Sequence, residues 1–187
     1  METLIKYFFT ALSLLFLCQV SAQEIGESKI WSEDYQLQWS DFKGEPQNNT
    51  DAIAITASGI TFGYSVTQSE TEIVEANFTI ESHFYPNHSW CLKDRVHSVV
   101  LNHERFHFNI TELFARKFRK QISETNFSLN IKEEVDAIYK NINNELAKMQ
   151  KAYDTATNYS INIETQSEWQ DLISRELKKY SKFKLDI

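Results

Sequence analysis

The hydrophobic period of this chain changes once, and that change limits the folds open to it. Over residues 71–84 apolar and polar side chains alternate. Ala76, Phe78, Ile80, Ser82 and Phe84 face one way, and Asn77, Thr79, Glu81 and His83 the other, as in a half-buried antiparallel strand. Over residues 94–122 the spacing becomes three and four, through Val96, Val99, Val100, Phe106, Ile110, Leu113, Phe114 and Phe118. That is the stripe of an amphipathic helix. Upstream, 31–46 and 52–66 read as further strands, with Gly59 and Gly63 suggesting a bulge, a bend or a short turn. Downstream, 129–158 and 164–180 read as a second and third helix. Only 4 glycines and 2 prolines occur, too few for a turn-rich all-β fold. Strands followed by helices predict an α+β domain: a small antiparallel sheet packed with a layer of about three helices.

The N-terminus reads as an export signal. Lys6 precedes a nearly continuous apolar run from Tyr7 to Val20, and Val20-Ser21-Ala22 suits signal peptidase. Residues 1–22 are therefore expected to be removed before Gln23, leaving 23–187 as one secreted or periplasmic domain with no membrane insertion. The alternative is a lipoprotein acylated on Cys18, disfavoured by the bulky Leu17 before it. Cys91 would then be the only cysteine left, between apolar neighbours, and is expected to be a small buried side chain. A net charge of −7 argues against nucleic acid or anionic membrane surfaces as partners.

The chemistry lies in the first helix. His103-Glu104-Arg105-Phe106-His107 is an HExxH segment. Residues four apart share one helical face, so two imidazoles can converge on one Zn²⁺ at about 2.0–2.1 Å. Glu104, one residue on, stands where it can take a proton from a water beside the ion. A third ligand is required for a catalytic zinc. The HExxHxxGxxH arrangement is excluded, because Ile110 and Leu113 occupy its last two positions. Glu112 lies nine residues from His103, about half a turn off the metal face. An antiparallel hairpin turning near Asn126 brings the level of His107 to Glu145, which geometry ranks first; Asp154 lies further along and more sideways. His97 faces away from the motif. The four tryptophans read as core, and the basic run Arg116-Lys117-x-Arg119-Lys120 as a solvated helix face.

Several stretches resemble one family. They are Leu37-Gln38-Trp39-Ser40-Asp41-Phe42-Lys43-Gly44, Ser89-Trp90, Asn102-His103-Glu104-Arg105-Phe106-His107-Phe108, Tyr153-Asp154-x-x-Thr157 and Gln166-x-x-Trp169. In this order they are similar to the bacterial domain-of-unknown-function family 922, described as secreted zinc-dependent proteases. The resemblance implies a zincin-like fold and a second motif of the form YDxxTxH. It moves Asp154 ahead of Glu145, as a ligand or as a carboxylate behind one. The chain departs from the pattern at Tyr159, where the family often carries His, and at Asn109, where it carries an acid. If Asp154 is the ligand, Tyr159 is free to donate a hydrogen bond to a developing oxyanion; its other reading is packing at a helix end. The expected activity is peptide-bond hydrolysis at a zinc held by His103, His107 and Asp154, with Glu104 as base and Tyr159 assisting. Its substrate would be a peptide or protein held along a sheet edge by strand addition. The alternatives are an exported binding module of the same fold that has lost turnover, and a cell-wall amidase using the same residues.

Overall fold

The computed structural model describes residues 26–47 and 50–185, so the expected export signal, its expected cut before Gln23 and Cys18 lie outside the described residues. The alternating segment forms strand β4 (Ile73–Phe84), antiparallel to β3 (Ser58–Gln68) in a register running from Ser58 opposite Phe84 to Gln68 opposite Ile73. The short β1 (Lys29–Ile30) pairs with the other edge of β4, giving the order β1-β4-β3. A second, two-stranded sheet joins β2 (Ala54–Ile55) to β5 (Trp90–Cys91). Ile80, Ser82 and Phe84 are buried on the face read from the sequence as internal, while Glu75, Asn77 and Thr79 are exposed.

Two strand expectations need correction. Gly59 and Gly63 lie in unbroken pairing with His83 and Thr79, and the register slips instead between Thr67 and Gln68. A Cβ at Gly59 would stand 3.4 Å from the Tyr85 ring, an ordinary van der Waals contact. Residues 31–46 form an irregular segment around a 3-10 turn, Trp39–Asp41, because Asp41 gathers local donors. Its carboxylate accepts from the Tyr35 hydroxyl (2.6 Å) and the Gln38 N–H (2.7 Å) and pairs with Lys29 (3.2 Å). Leu37 and Phe42 then pack with Phe84, Val100 and Phe108 in a small core. Each such burial contributes about 1.5–3 kcal/mol.

Three helices complete the α+β fold: α1 (Ser98–Glu124), α2 (Ile131–Thr157) and α3 (Ile163–Lys179). α1 starts at Ser98, after His97 at the N-cap position, without a side-chain cap. Ser89 is buried, where its hydroxyl accepts from the Ala57 N–H and donates to the Tyr85 carbonyl. α1 packs against β3 and β4 on one side and α2 and α3 on the other. Ile60 and Ile80 from the sheet meet Ile110, Phe114 and Phe118 from α1, Val135 and Ile142 from α2 and Ile173 from α3 in the main core. Cys91 is buried, as read.

α2 ends in an unusual way. Asn158, Tyr159 and Ser160 all have positive φ (47°, 53° and 73°) with no glycine among them. Such residues cost about 1–3 kcal/mol each unless their surroundings impose them. Here the Tyr159 N–H bonds the Asp154 carbonyl (2.9 Å) and the Asn162 N–H bonds that of Thr157 (2.8 Å). The Asn162 side chain caps α3 by accepting from the Thr165 N–H. This fixes the last turn of α2, and Asp154 with it. Among the described residues no helix is long and apolar enough to cross a membrane.

Candidate metal centre

His103 and His107 project from one face of α1 toward α2, as their spacing requires. Asp154 meets them from α2. The Asp154 Oδ1 lies 3.1 Å from His103 Nε2 and 2.8 Å from His107 Nε2, and the two ring nitrogens lie 3.1 Å apart. Bonds of about 2.1 Å from a tetrahedral zinc set donors about 3.4 Å apart, so the three atoms are already gathered almost to coordinating distance on one side of an ion. Two imidazole nitrogens and a carboxylate oxygen also suit zinc chemically. The three residues form a possible metal-binding triad.

The surroundings hold these groups firmly. His103 is 3% exposed. The Tyr153 ring, fully buried, stacks on His103 (centroids 4.5 Å apart, 16° between planes) and meets His107 edge-on at 5.3 Å. Gln150, one turn before Asp154, faces the other side of His107. Its Oε1 contacts His107 Nδ1, and its Nε2 donates to the His107 carbonyl (2.9 Å) and to Thr111 Oγ1 (3.3 Å).

The electrostatics follow from burial and proximity. Burial opposes the charge on Asp154, but hydrogen bonds from His103 and His107 hold its carboxyl well below the usual carboxylate range. Burial also opposes protonation of His107, yet the Asp154 hydrogen bond, aided by the Glu104 charge, raises its pKa. Burial pushes the Tyr153 phenol above its ordinary value, against the opposing effect of the neighbouring Gln170 amide. Glu104 is 4% exposed, and its Oε2 is buried without a partner. An unpaired buried carboxylate oxygen is uncommon in a folded protein, and a water or an ion beside the possible metal-binding triad would satisfy it.

Three sequence expectations read differently in the structure. Glu145, the geometric first choice, is exposed and pairs with Lys148 at 2.7 Å. The level of His107 on α2 is Gln150, five residues on: the hairpin does turn in the segment between Glu124 and Ile131, which holds Asn126, but its centre lies a little beyond that residue. The basic run is not a solvated face. Arg116 is 1% exposed; its Nε donates to Glu112 (2.9 Å), which also takes Arg119 (3.0 Å) and Ser82 (2.6 Å). Glu112 indeed points away from the metal face, into this buried network. Tyr159 stands on the left-handed turn, 67% exposed, its backbone N–H bonded to the Asp154 carbonyl. Asn109 accepts from the Trp31 indole at 2.8 Å.

Gln150 is not among the candidate residues read from the sequence, and Tyr153 is there only as part of the segment Tyr153-Asp154-x-x-Thr157. A signal for both was present. Gln150 and Asp154 are four apart, as His103 and His107 are, and Tyr153 lies between them on the same helical face.

No curated protein and no solved structure matches this chain. A family profile does, over residues 34–160, which takes in every residue of the triad as well as Glu104, Gln150 and Tyr159. The chain thus belongs to the family described as bacterial protein of unknown function, DUF922.

Proposed function

We propose that this protein is an exported zinc-dependent peptidase, with the ion held by His103, His107 and Asp154. The observation that carries this reading is the convergence of three donor atoms from two helices, each within 3.1 Å of the others. A Zn²⁺ ion bound there supplies Lewis acidity, polarising a scissile carbonyl and acidifying a water. Glu104 takes the proton of the attacking water and delivers it to the leaving amine, which suits a carboxylate buried beside the triad with a free oxygen. Tyr159, exposed on the adjoining turn, is available to donate to the oxyanion. β3 offers an edge for an extended peptide: among the described residues it pairs only with β4, and its first residue, Ser58, bonds Thr111 one turn beyond His107 on α1. Export rests on the apolar N-terminal segment.

Metal content by mass spectrometry and hydrolysis of a peptide library, for the wild type and Glu104→Gln, test this together. The expected result is one zinc per chain in both proteins and cleavage in the wild type alone. Zinc without cleavage in either would leave the binding-module reading, and cleavage confined to cell-wall peptides the amidase. A protein that takes up no zinc overturns the proposal.

A further inference from the structure

We propose that Gln150 is a positioning residue for this centre: it holds His107 with a proton on Nδ1 and so leaves Nε2, the nitrogen facing Asp154, to bind the ion. The inference deepens the metal-centre reading and rests on it.

The argument starts from an acceptor whose role is fixed. The His107 main-chain carbonyl can only accept, and a Gln150 side-chain atom lies 2.9 Å from it. That atom must be the amide nitrogen, since an amide oxygen there would set two acceptors against each other. The second contact of the same atom, to Thr111 Oγ1 at 3.3 Å, agrees with this orientation. The other end of the amide, facing His107 Nδ1, is then the oxygen, which also only accepts. His107 Nδ1 must therefore carry a proton. The other nitrogen, Nε2, faces Asp154 Oδ1 at 2.8 Å and donates to that carboxylate while no ion is bound; with Nδ1 held by Gln150, Nε2 is the nitrogen that gives up its proton to an ion. One neutral side chain thus reads a backbone carbonyl and converts it into a choice of ligating nitrogen.

His103 is held by a different device. Its Nδ1 is buried with no hydrogen-bond partner, so no outer group holds that nitrogen. The Tyr153 stack fixes its plane instead. The centre therefore has one ligand preset by a hydrogen bond and one oriented by an aromatic face. Outer partners that fix a ligand's tautomer are worth about 10–100-fold in metal affinity.

The test has two arms. Long-range ¹H–¹⁵N correlation spectra of the zinc-loaded wild type report which nitrogen of His107 keeps its proton. Competition with a chromophoric chelator gives the zinc affinity of the wild type and of Gln150→Met, which keeps length and loses both polar ends. The expected results are a proton on His107 Nδ1 in the wild type and zinc affinity about 10–100-fold weaker in the variant. A proton on Nε2 in the zinc-loaded wild type overturns the inference, and so does a variant that binds zinc as tightly as the wild type. A wild type that takes up no zinc refutes the metal reading and the inference with it, and its metal content tells this apart from the other outcomes. Should the variant not fold, the wild-type spectrum still decides.

Discussion

Replacing Glu112 with alanine removes the hub of a charged cluster packed between α1 and the sheet. Glu112 is 1% exposed; one oxygen accepts from Arg116 Nε at 2.9 Å and Arg119 Nη1 at 3.0 Å, the other from Ser82 Oγ at 2.6 Å. Its loss leaves Arg116, also 1% exposed, with its charge inside the protein. Removing one partner of a buried ion pair costs about 3–5 kcal/mol, most of it the uncompensated charge left behind. Some relief remains. Arg116 keeps the Leu177 carbonyl (2.7 Å), the Trp31 ring face and Glu33 at 3.6 Å, and Arg119 keeps the carbonyls of Ile80 and Phe183. Those acceptors cap the figure within that range. For a domain of this size 1 kcal/mol moves Tm by about 2–4 °C, so Glu112→Ala is expected to lower it by about 6–20 °C. Urea unfolding followed by circular dichroism should give the same loss at an unchanged slope. Glu112→Gln, which keeps the shape and one acceptor oxygen, should lose roughly half as much. Zinc uptake by the folded variants should be unchanged, since Glu112 points away from the triad. A loss under about 1 kcal/mol for alanine would show that water reaches the guanidinium groups, and the reasoning would fail.

Zinc at a hundred times its Kd should stabilise the protein by about 2.7 kcal/mol, and His103→Ala or Asp154→Asn should abolish the thermal shift; an undiminished shift in either would place the ion elsewhere. In chelator, the lowered Asp154 pKa gives stability that is present above its unfolded range and lost as pH falls through the folded value. The raised His107 pKa gives stability that is full below the ordinary 6.5 and lost as pH rises through the folded value. The metal-free protein should therefore have its triad-linked stability in a mildly acidic window, absent in Asp154→Asn; identical pH–Tm profiles for the two would contradict this. Zinc affinity should run the opposite way and rise with pH, because a protonated His107 cannot ligate. Gly44→Ala places a Cβ 2.9 Å from the carbonyl oxygens of both Asn87 and Ser89, where the backbone cannot yield cheaply, and should cost about 1–3 kcal/mol by denaturant titration.

The helices and the long hairpin were legible because period is a local property. A stripe at three and four, or an alternation, announces its element wherever the partner lies. The segment 31–46 misled for the converse reason. Its alternation of Tyr35, Leu37 and Trp39 mimics a strand, but Asp41 pulls the backbone into a turn through contacts with Tyr35, Gln38 and Lys29. The basic run misled too, since charge predicts solvation only when no buried acid waits opposite, and Glu112 does.

The linear chain by itself determined α1 and the pair His103 and His107, since a four-residue interval on a helix brings two side chains to one face. It could not choose between Glu145 and Asp154 without a family resemblance, because that choice depends on where the α1–α2 hairpin turns and how the two helices are shifted along each other. Only the packed structure set Asp154 against both rings, brought Gln150 behind one and Tyr153 beneath the other, and sent Glu112 into the sheet. Those contacts join residues some 30–50 positions apart, and their distances are fixed by how side chains fill the space between helices, which no local pattern records.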